Sequence, residues 1–522
     1  MAKKPKPRIA AVIDIGSNDL RLLIAQTTNV SGDGDAAEKI KSTQYLENIS
    51  TPLGLGRDTF QTGEKSFDKA DRACEIIKDF LHVIKGYGVR NIAAVATTAV
   101  REAANMDYIL DQIKIKTGLS VNVLDDMEEK NYIYKLLMHY IGNQMNEPAM
   151  MVYIGTGNIG VSVIEDGCVS FLQNIQVGSL RIGELFENLE EYTSGFYRLM
   201  EEYLTSFTEI FSHEIKDEIK HFIASGQEIG LIAELTGVDT GELFFNISRS
   251  DFYSLYNDIK LKNADQIMED YGIESEKAEA LLPVACIFQN ILGYTAAKRI
   301  TSARLLPSDV ILYEMLYPAT FAQINKAHAE NTILAARAIA ERYNSSEKHY
   351  KHTYKFSNII FDKMKKLHGL GSRDKLLLQT AAVLHDIGKY INNRDHHHYS
   401  YVIIRGTDII GLSEQENMIV AFICLYHGDV TPKKTDPQYA GLRPGSRVLV
   451  SKLAAILRLA DALDRSQMGK YSNINVKITD DEFIVTVITE KNIALEGWAF
   501  SEQGKFFEEV FGIKAKLRVK HP

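Results

Sequence analysis

The chain has 522 residues, of which 45% are hydrophobic and 24% are charged, so it is long enough for several folded domains. A net charge of −9 argues against a general nucleic-acid-binding protein, because such proteins neutralise phosphates with Lys and Arg, but it leaves open a local basic channel for a smaller polyanion. The four cysteines are far apart and form neither a zinc knuckle nor a disulfide framework. No run reaches the roughly 18 apolar residues of a membrane span, so we expect a cytoplasmic protein without membrane contact.

The first predicted element is a β-hairpin in residues 9–26, formed by strand IAAVIDI, a glycine turn and strand RLLIAQ. Apolar residues at helical spacing predict an amphipathic helix over residues 70–84. The stretch IAAVATTAV predicts a strand that leads into a helix carrying Arg101. The short strand VNVL follows, and Asp125 is placed to cap a helix that carries the pair Glu128–Glu129. This alternation indicates an α/β lobe.

A second hairpin of the same kind, AMMVYIGTGNIGVSVI, begins at residue 149 and indicates a duplicated lobe with a cleft between the two copies. Residues from about 320 to 470 show almost only helical periodicity, and the stretch INVKITDDEFIVTVIT predicts a terminal β-hairpin. We therefore predict two α/β lobes, a helical domain and a small C-terminal α+β domain, with the bounds 1–135, 136–315, 316–470 and 471–522.

The two glycine turns carry the chemistry expected of a phosphate site. Backbone N–H groups and small hydroxyls in DIGSND and YIGTGN suit a phosphate oxygen, and glycine allows close backbone approach. Asp14, at the end of the first strand, could hold a divalent metal. The alternative is a pair of simple hairpins whose Gly, Ser and Asn are turn formers. Two copies at equivalent positions favour the phosphate site.

The order of these segments resembles a known family. A DIGSN hairpin, LGLGRD, ATTAVREAAN, a Glu-Glu helix after VNVLDD, a second Gly-turn hairpin and VGSLRIGELF follow one another as in the exopolyphosphatase and guanosine pentaphosphate phosphohydrolase (Ppx/GppA) family. That family is a branch of the actin-like ATPase fold. HDIGKYI and LRLADALDRS are similar to the helical HD domain of its longer members. The resemblance implies two actin-like, ribonuclease H-like lobes with an interlobe cleft, then an all-α HD domain and the small C-terminal domain.

By the resemblance, the chain would remove the terminal phosphate from polyphosphate or pppGpp with Mg²⁺ bound in the cleft. Asp14 would help to hold the metal, Arg101 would clamp phosphate oxygens, and Glu129, or else Glu128, would activate the attacking water. The phosphate-binding residues would be Gly16, Ser17, Asn18, Gly155, Thr156, Gly157 and Asn158. The alternatives are a helix-start salt bridge for Arg101 and a favourable first-turn charge for the glutamates. A homodimer would suit a chain substrate.

The second hairpin departs from the family pattern. The family reads DIGGGS there, whereas this chain has Tyr153 in place of the acid. A phenol is neutral at pH 7 and is a poor ligand for Mg²⁺. The change counts against robust exopolyphosphatase activity without excluding it, because positioning and electrostatics carry this reaction.

The helical region carries a candidate metal site. The resemblance to HD phosphohydrolases assigns four ligands to it, which are His352, His385, Asp386 and Asp461. Imidazole and carboxylate together bind divalent transition metals or Mg²⁺, and the identity of the metal is open. The alternative is a set of polar residues that face a domain interface.

Other polar residues near the HD dipeptide extend this site. Lys389 lies one helical turn after His385 and could meet a phosphate. His396, His397 and His427 could bind a second metal or the substrate, or the HHH run is a solvated turn. An alternative function follows: the HD domain hydrolyses a nucleotide with its metal, and the altered cleft only binds polyphosphate or (p)ppGpp as a regulatory module.

Overall fold

The computed structural model describes residues 7–28, 36–55, 66–141, 147–155, 159–165, 168–175, 196–214, 218–226, 228–239, 243–303, 305–433 and 435–521. The chain divides into two compact units, residues 1–328 and 329–522. Within the described residues, no helix combines the length and apolar character that crossing a bilayer requires.

The first sheet of unit 1 has five strands in the order β3-β2-β1-β4-β5. Its strands are β1 Ile9–Ile15, β2 Asp19–Gln26, β3 Gln44–Pro52, β4 Ile92–Ala96 and β5 Asn122–Val123. Strands β1, β2 and β3 pair antiparallel, whereas β1, β4 and β5 run parallel. The predicted hairpin is confirmed, with Asp14 paired to Arg21.

The second sheet has six strands in the order β10-β11-β9-β6-β7-β8. Its strands are β6 Ala149–Ile154, β7 Ile159–Glu165, β8 Cys168–Ile175, β9 His221–Gly226, β10 Phe244–Ser248 and β11 Arg299–Ala303. Three antiparallel strands (β6, β7, β8) are again followed by parallel pairing of β6 with β9 and of β9 with β11. The two sheets repeat one topology, as a duplicated lobe requires.

Helices cover these sheets. Those of unit 1 are α1 Ala36–Lys41, α2 Phe67–Gly86, α3 Thr98–Arg101, α4 Met106–Thr117, α5 Asp126–Ile141, α6 Phe196–Glu214, α7 Ile229–Leu235, α8 Arg249–Ile259, α9 Ala264–Tyr271, α10 Ser275–Leu292 and α11 Pro307–Leu316. Helix α2 buries the apolar face that its periodicity predicts, including Ile77 and Ile84. Helix α11 returns to the first sheet, where Leu312 packs against Val12 and Leu23.

Unit 2 is mainly helical. Its helices are α12 Pro318–Arg342 (which begins in unit 1), α13 Glu347–Lys363, α14 Lys365–His368, α15 Ser372–Leu384, α16 His396–Arg405, α17 Glu414–Leu425, α18 Pro437–Ala440, α19 Pro444–Ala462 and α20 Ala494–Phe511. A 3₁₀ turn, Ile387–Tyr390, follows α15.

A small sheet closes unit 2. Strands β12 Ile474–Ile478 and β13 Glu482–Ile488 form the predicted hairpin, and β14 Lys514–Lys520 pairs parallel to β13. Phe483 and Phe507 of this part lie in the same hydrophobic core as Leu384 and Leu457 of the helices. The terminal elements therefore share a core with the helices, and the predicted bounds of the separate domains stay predictions.

The predicted strand IAAVATTAV is too long. Strand β4 ends at Ala96, and Thr97 becomes the N-cap residue of the short helix α3. The parallel pairing with β1 also ends there, at Ile15 and Ala96, so the chain turns away from the sheet. Sequence periodicity could not show this end, because the sheet partner determines it.

Candidate active site

The polar residues predicted for the cleft lie at one edge of the first sheet. Strands β1, β4 and β5 are parallel, so their carboxyl ends share that edge. Asp14 lies at the end of β1, Arg101 ends the helix after β4, and Glu129 lies in the first turn of the helix after β5. Ligand sites of open α/β sheets commonly form at such an edge.

Arg101 holds Glu129 in place. Its Nη1 donates to Glu129 Oε1 over 2.8 Å and to the Leu124 carbonyl over 2.5 Å. Its Nη2 donates to Thr98 Oγ1 over 3.1 Å and forms an ion pair with Asp126. The alternative reading of Arg101 as a salt-bridge residue therefore describes a real contact, and that contact orients the candidate base.

Glu128 has a different role from Glu129. The Glu128 N–H donates to Asp125 Oδ1 over 2.8 Å, and Glu128 Oε2 accepts from the Asp125 N–H over 3.0 Å. This reciprocal pair is a capping box, which fixes the start of α5 as the sequence predicted. Of the two glutamates, Glu129 is therefore the one that joins the Arg101 site.

The two buried carboxylates of the site are short of positive charge. Burial raises the pKa of Glu129 to about 7, although Arg101 lowers it, and the nearby Asp126 and Asp14 raise it further. Burial likewise raises the pKa of Asp14 to about 6. Asp14 Oδ1 is buried and has no hydrogen-bond partner within the part of the chain that the structure describes. An orphaned carboxylate oxygen beside a second carboxylate suits a hard divalent cation such as Mg²⁺.

The first glycine turn lies at the same edge. The Gly16 N–H donates to the Asp19 carbonyl over 3.0 Å, which closes the turn that contains Ser17 and Asn18. In the second hairpin, Gly155 follows the end of β6. The predicted phosphate contacts at Thr156, Gly157 and Asn158 lie outside the described residues.

The second lobe approaches this edge. Tyr153 of β6 is buried, and burial raises its pKa well above the ordinary value, with a further rise from the Glu129 and Asp126 carboxylates of the first lobe. The side chain of Lys130 also reaches β7, because a Cβ added to Gly160 would lie 3.3 Å from Lys130 Cδ. Tyr153 therefore remains a neutral phenol that faces the candidate base.

A cavity of about 910 Å³ takes residues from both lobes. Its lining includes Asp19 and Arg21 of β2, the strand next to the one that carries Asp14, but not Asp14, Arg101 or Glu129. Arg21 lines it and pairs with Asp309 over 3.3 Å, and both residues affect the pKa of Asp14. The lining also includes Lys41, Tyr45, Glu234, Lys277 and Tyr313. Its size and its mixture of aromatic and charged side chains fall in the range of small-molecule sites.

Unit 2 contains a separate cluster of buried imidazoles and carboxylates, which we call the histidine cluster (His349, His385, Asp386, His396, His427 and Asp461). His349 Nε2 lies 3.0 Å from Asp461 Oδ1 and 3.4 Å from His385 Nε2. Burial lowers the pKa of His349, but its hydrogen bonds to Asp461 and Asp464 outweigh this and raise it to about 9. Sequence reasoning missed His349 and Asp464.

The other side of Asp386 meets two further histidines. Asp386 Oδ1 lies 3.4 Å from His396 Nε2 and 3.9 Å from His427 Nε2, and the two Nε2 atoms are 3.1 Å apart. Burial lowers the pKa of both imidazoles, that of His427 to about 3. Both rings are therefore neutral at pH 7.

Some predicted residues lie at the margin of this cluster. His352 does not join it: the ring is one turn further along α13, and its Nδ1 lies 3.6 Å from Asp464 Oδ2. Lys389 forms an ion pair with Asp386. His397 lies against Gly428, where an added Cβ would be 3.4 Å from the imidazole Cγ.

Gly388 explains why the HDIG stretch can build this cluster. A Cβ at Gly388 would lie 2.0 Å from the His396 carbonyl oxygen, so only glycine lets the 3₁₀ turn pack so closely on α16. Ser400 ties the two together, because its Oγ accepts from the Gly388 N–H over 2.9 Å and donates to the His385 carbonyl over 2.6 Å. The close packing brings His396 to Asp386.

Duplicated mixed sheets, with acidic residues and glycine turns at their carboxyl edges, define an actin-like fold that handles phosphate. Comparison with known families gives the same class. The model of the Ppx/GppA phosphatase family matches residues 36–317, and the model of domain III of Ppx/GppA phosphatases matches residues 333–497. The chain therefore belongs to the Ppx/GppA phosphatase family, as the sequence resemblance predicted, and it is a phosphoanhydride hydrolase by class.

Individual relatives extend over most of the chain. Two are named guanosine-5′-triphosphate,3′-diphosphate pyrophosphatase. The protein from Pseudoalteromonas translucida is 22% identical over 487 residues, which cover 92% of each chain. The protein from Photobacterium profundum is 20% identical over 497 residues, which cover 93% of each chain.

Solved structures support the fold of the lobes. A Ppx/GppA family member from Aquifex aeolicus aligns with a TM-score of 0.50 and 19% identity, covering 60% of this chain and 99% of its own. An exopolyphosphatase from Cytophaga hutchinsonii also aligns with a TM-score of 0.50 and 19% identity, covering 60% of this chain and 98% of its own.

Proposed function

We propose that the chain removes the terminal phosphate from pppGpp, from inorganic polyphosphate or from both, in the cleft between the lobes, with Glu129 as the base. The observation that carries this proposal is the Glu129 carboxylate, which is buried, held by Arg101 and raised in pKa to about 7. A base whose pKa lies near the working pH is both ionised and able to accept a proton.

The reaction follows from these groups. Glu129 orients a water molecule toward the terminal phosphorus and accepts its proton. The new P–O bond forms as the bond to the bridging oxygen breaks, and that oxygen leaves with the electron pair. The products are orthophosphate and a substrate that is one phosphate shorter. Contact of Arg101 with a phosphate oxygen requires it to exchange an ion pair with Asp126 or Glu129 for the phosphate.

Mg²⁺ fits the residues of this site. Asp14 offers a buried carboxylate oxygen without a protein partner among the described residues, and the turn at Gly16–Asn18 lies beside it. When bound, Mg²⁺ would neutralise charge on the phosphate oxygens. Tyr153 supplies no carboxylate to such a metal, but its neutral hydroxyl can donate a hydrogen bond to a phosphate oxygen.

The cavity that takes residues from both lobes bears on the substrate. A nucleotide needs room for a base and a ribose next to the reacting phosphates, whereas an inorganic chain does not. The cavity of about 910 Å³ provides that room and includes Tyr45 and Tyr313. Two relatives that match over most of the chain are named for a guanosine triphosphate diphosphate substrate. We therefore place pppGpp first.

The test is orthophosphate release from pppGpp and from long-chain polyphosphate with Mg²⁺, for the wild type, Glu129→Gln and Glu128→Gln. We expect Glu129→Gln to lower kcat by about 10²–10⁴-fold, the usual contribution of a general base. Glu128→Gln is the matched control, because Gln also forms a capping box, so this variant should keep its activity. Equal losses in both variants, or release unaffected by either change, would contradict the proposal.

A second candidate function has its own observation. The histidine cluster brings imidazoles and carboxylates close enough for metal binding, with groups His349–His385–Asp386 and Asp386–His396–His427. We propose that this cluster binds a divalent metal and hydrolyses a nucleotide phosphate independently of the cleft, which would then also act as a binding module. Hydrolysis that persists in Glu129→Gln and is lost in the double variant His385→Ala/Asp386→Ala would support it; hydrolysis that depends only on Glu129 would contradict it.

A further inference from the structure

We propose that the histidine cluster holds two divalent transition-metal ions, with Asp386 as the carboxylate that bridges them. The first position would take His349, His385, Asp386 and Asp461, and the second would take Asp386, His396 and His427. The inference deepens the second candidate function and depends on metal binding at that cluster, but it does not depend on chemistry in the cleft.

The spacing of the first group fits a single ion. Donor atoms bound at about 2.0–2.2 Å in tetrahedral or octahedral geometry lie about 2.8–3.6 Å from one another. His349 Nε2 is 3.0 Å from Asp461 Oδ1, 3.4 Å from His385 Nε2 and 3.6 Å from Asp386 Oδ2. His385 Nε2 is 3.6 Å from Asp461 Oδ1 and 3.7 Å from Asp386 Oδ2. His349, His385 and Asp386 are thus placed around one point, and Asp461 adjoins it through His349 and His385.

The second group has the same spacing around a different point. His396 Nε2 lies 3.1 Å from His427 Nε2 and 3.4 Å from Asp386 Oδ1, and His427 Nε2 lies 3.9 Å from that oxygen. The first group uses Oδ2 of Asp386 and the second uses Oδ1. One carboxylate with an oxygen toward each group is the arrangement that bridges two ions, which lie about 3.5–4 Å apart in two-metal sites.

Backbone contacts fix the donor atom of three of the histidines. Nδ1 lies 3.0 Å from the Ala382 carbonyl in His385, 3.0 Å from the Asn393 carbonyl in His396, and 2.5 Å from the Cys424 carbonyl in His427. A carbonyl only accepts, so each Nδ1 carries a proton, and the Nε2 atom of each ring is the one that faces the cluster. Metal-binding histidines are oriented in this way by their outer nitrogen.

The convergence of Nε2 atoms is the strongest argument for an ion. His396 and His427 hold their Nε2 atoms 3.1 Å apart, and both atoms lie within 3.9 Å of Asp386 Oδ1. A cation placed among these three atoms would be bound by all of them. Asp464 supports the first position in the same sense, because its Oδ2 lies 3.0 Å from His349 Nδ1 while Nε2 faces the cluster.

The experiment counts metal ions per chain. The full-length protein carrying Asp14→Asn, which removes a contribution from the cleft, is loaded separately with Mn²⁺, Co²⁺ and Zn²⁺, freed of excess metal on a desalting column, and measured by elemental analysis. Two variants are compared in that background, His396→Gln and its neighbour His397→Gln, which lies outside the cluster. Mn²⁺-loaded samples are also examined by electron paramagnetic resonance, since two bridged ions give a spin-coupled spectrum.

We expect two equivalents of at least one metal, a fall to one equivalent in His396→Gln, no change in His397→Gln, and a coupled Mn²⁺ spectrum that becomes that of an isolated ion in His396→Gln. One equivalent in the parent would overturn the second position but leave the single-metal hydrolase standing. No retained metal would overturn both. Two equivalents without any hydrolysis would support the two-ion site and count against the hydrolase.

Discussion

The cleft of unit 1 and the histidine cluster of unit 2 both bury carboxylates, but they compensate the charge differently. In the cleft, Asp126 and Glu129 share the Arg101 guanidinium, Asp14 lies near Arg21, and the pKa values of Asp14 and Glu129 rise to about 6 and about 7. In the histidine cluster, four imidazoles and the Lys389 ammonium surround Asp386. The first arrangement favours a loosely held hard cation together with its substrate, and the second a tightly held transition metal. Burial alone therefore does not decide what a carboxylate binds; its neighbours do.

The largest expected effect is on the fold of the histidine cluster. Gly388→Ala would place a Cβ 2.0 Å from the His396 carbonyl oxygen, so the 3₁₀ turn and α16 must separate. We expect a loss of more than about 3 kcal/mol in the free energy of unfolding, as for other severe steric substitutions. Urea unfolding followed by circular dichroism measures it.

Gly497→Ala is the control, because nothing lies within 4 Å of its added Cβ and it is in a helix. That variant should be unchanged or about 0.5–1 kcal/mol more stable.

Arg101→Lys should come next, with a loss of about 10–100-fold in kcat/KM for phosphate release from pppGpp. Lysine keeps the charge but cannot reach Leu124 O, Thr98 and two carboxylates together, and hydrogen bonds to charged groups contribute about 1.5–3 kcal/mol each. Metal retained by the histidine cluster should not change. A variant with wild-type kcat/KM would remove Arg101 from the catalytic arrangement.

The pH dependence of kcat/KM should report the ionisation of the two buried carboxylates of the cleft, Glu129 and Asp14. Glu129 must be ionised to accept a proton, so the rate should fall about tenfold per unit below pH 7, and more steeply below pH 6, where Asp14 also protonates. Both folded pKa values lie above the usual carboxyl values, so the same groups reduce stability as pH rises from about 4.5 to 7. In Glu129→Gln, the free energy of unfolding should decrease less between pH 4.5 and pH 8 than it does in the wild type. A flat rate profile between pH 5 and 8 would argue against a carboxylate base.

The smallest effect is expected at Tyr153. Tyr153→Phe removes one neutral hydroxyl, whose hydrogen bond contributes about 0.5–1.5 kcal/mol, so kcat/KM should fall by less than about tenfold. A loss above a hundredfold would mean that the phenol does more than donate a single hydrogen bond to a phosphate oxygen.

Local sequence patterns predicted correctly those elements that a few neighbouring residues determine. The hairpin around Asp14, helix α2 and the capping box at Asp125 all follow from a few neighbouring residues, and the structure has them. The preference for Glu129 over Glu128 as the base came only from resemblance and stays a prediction; the capping contacts of Glu128 give it a physical reason.

Long-range packing could not be predicted in this way. His349 and His352 lie one turn apart on α13, so periodicity places both on one face. Only the approach of Asp461, in α19, and Asp464, just after α19, selects His349. The shared core of the helices and the terminal sheet is likewise a contact between distant segments. A sequence without aligned homologues carries no signal for such pairs.

The contacts of Arg458 link the unfolding of the helices of unit 2 to that of its last elements. Its buried guanidinium donates to the Tyr426 carbonyl over 2.5 Å, next to His427, and lies 4.5 Å from the ring centre of Phe506 in α20. The loop that follows a candidate metal ligand is thus anchored through the last elements of the chain. Removal of residues after 470 should not release an intact helical fragment. It should abolish both cooperative unfolding and metal binding, because contacts from the last elements of the chain hold the segment around His427 in place.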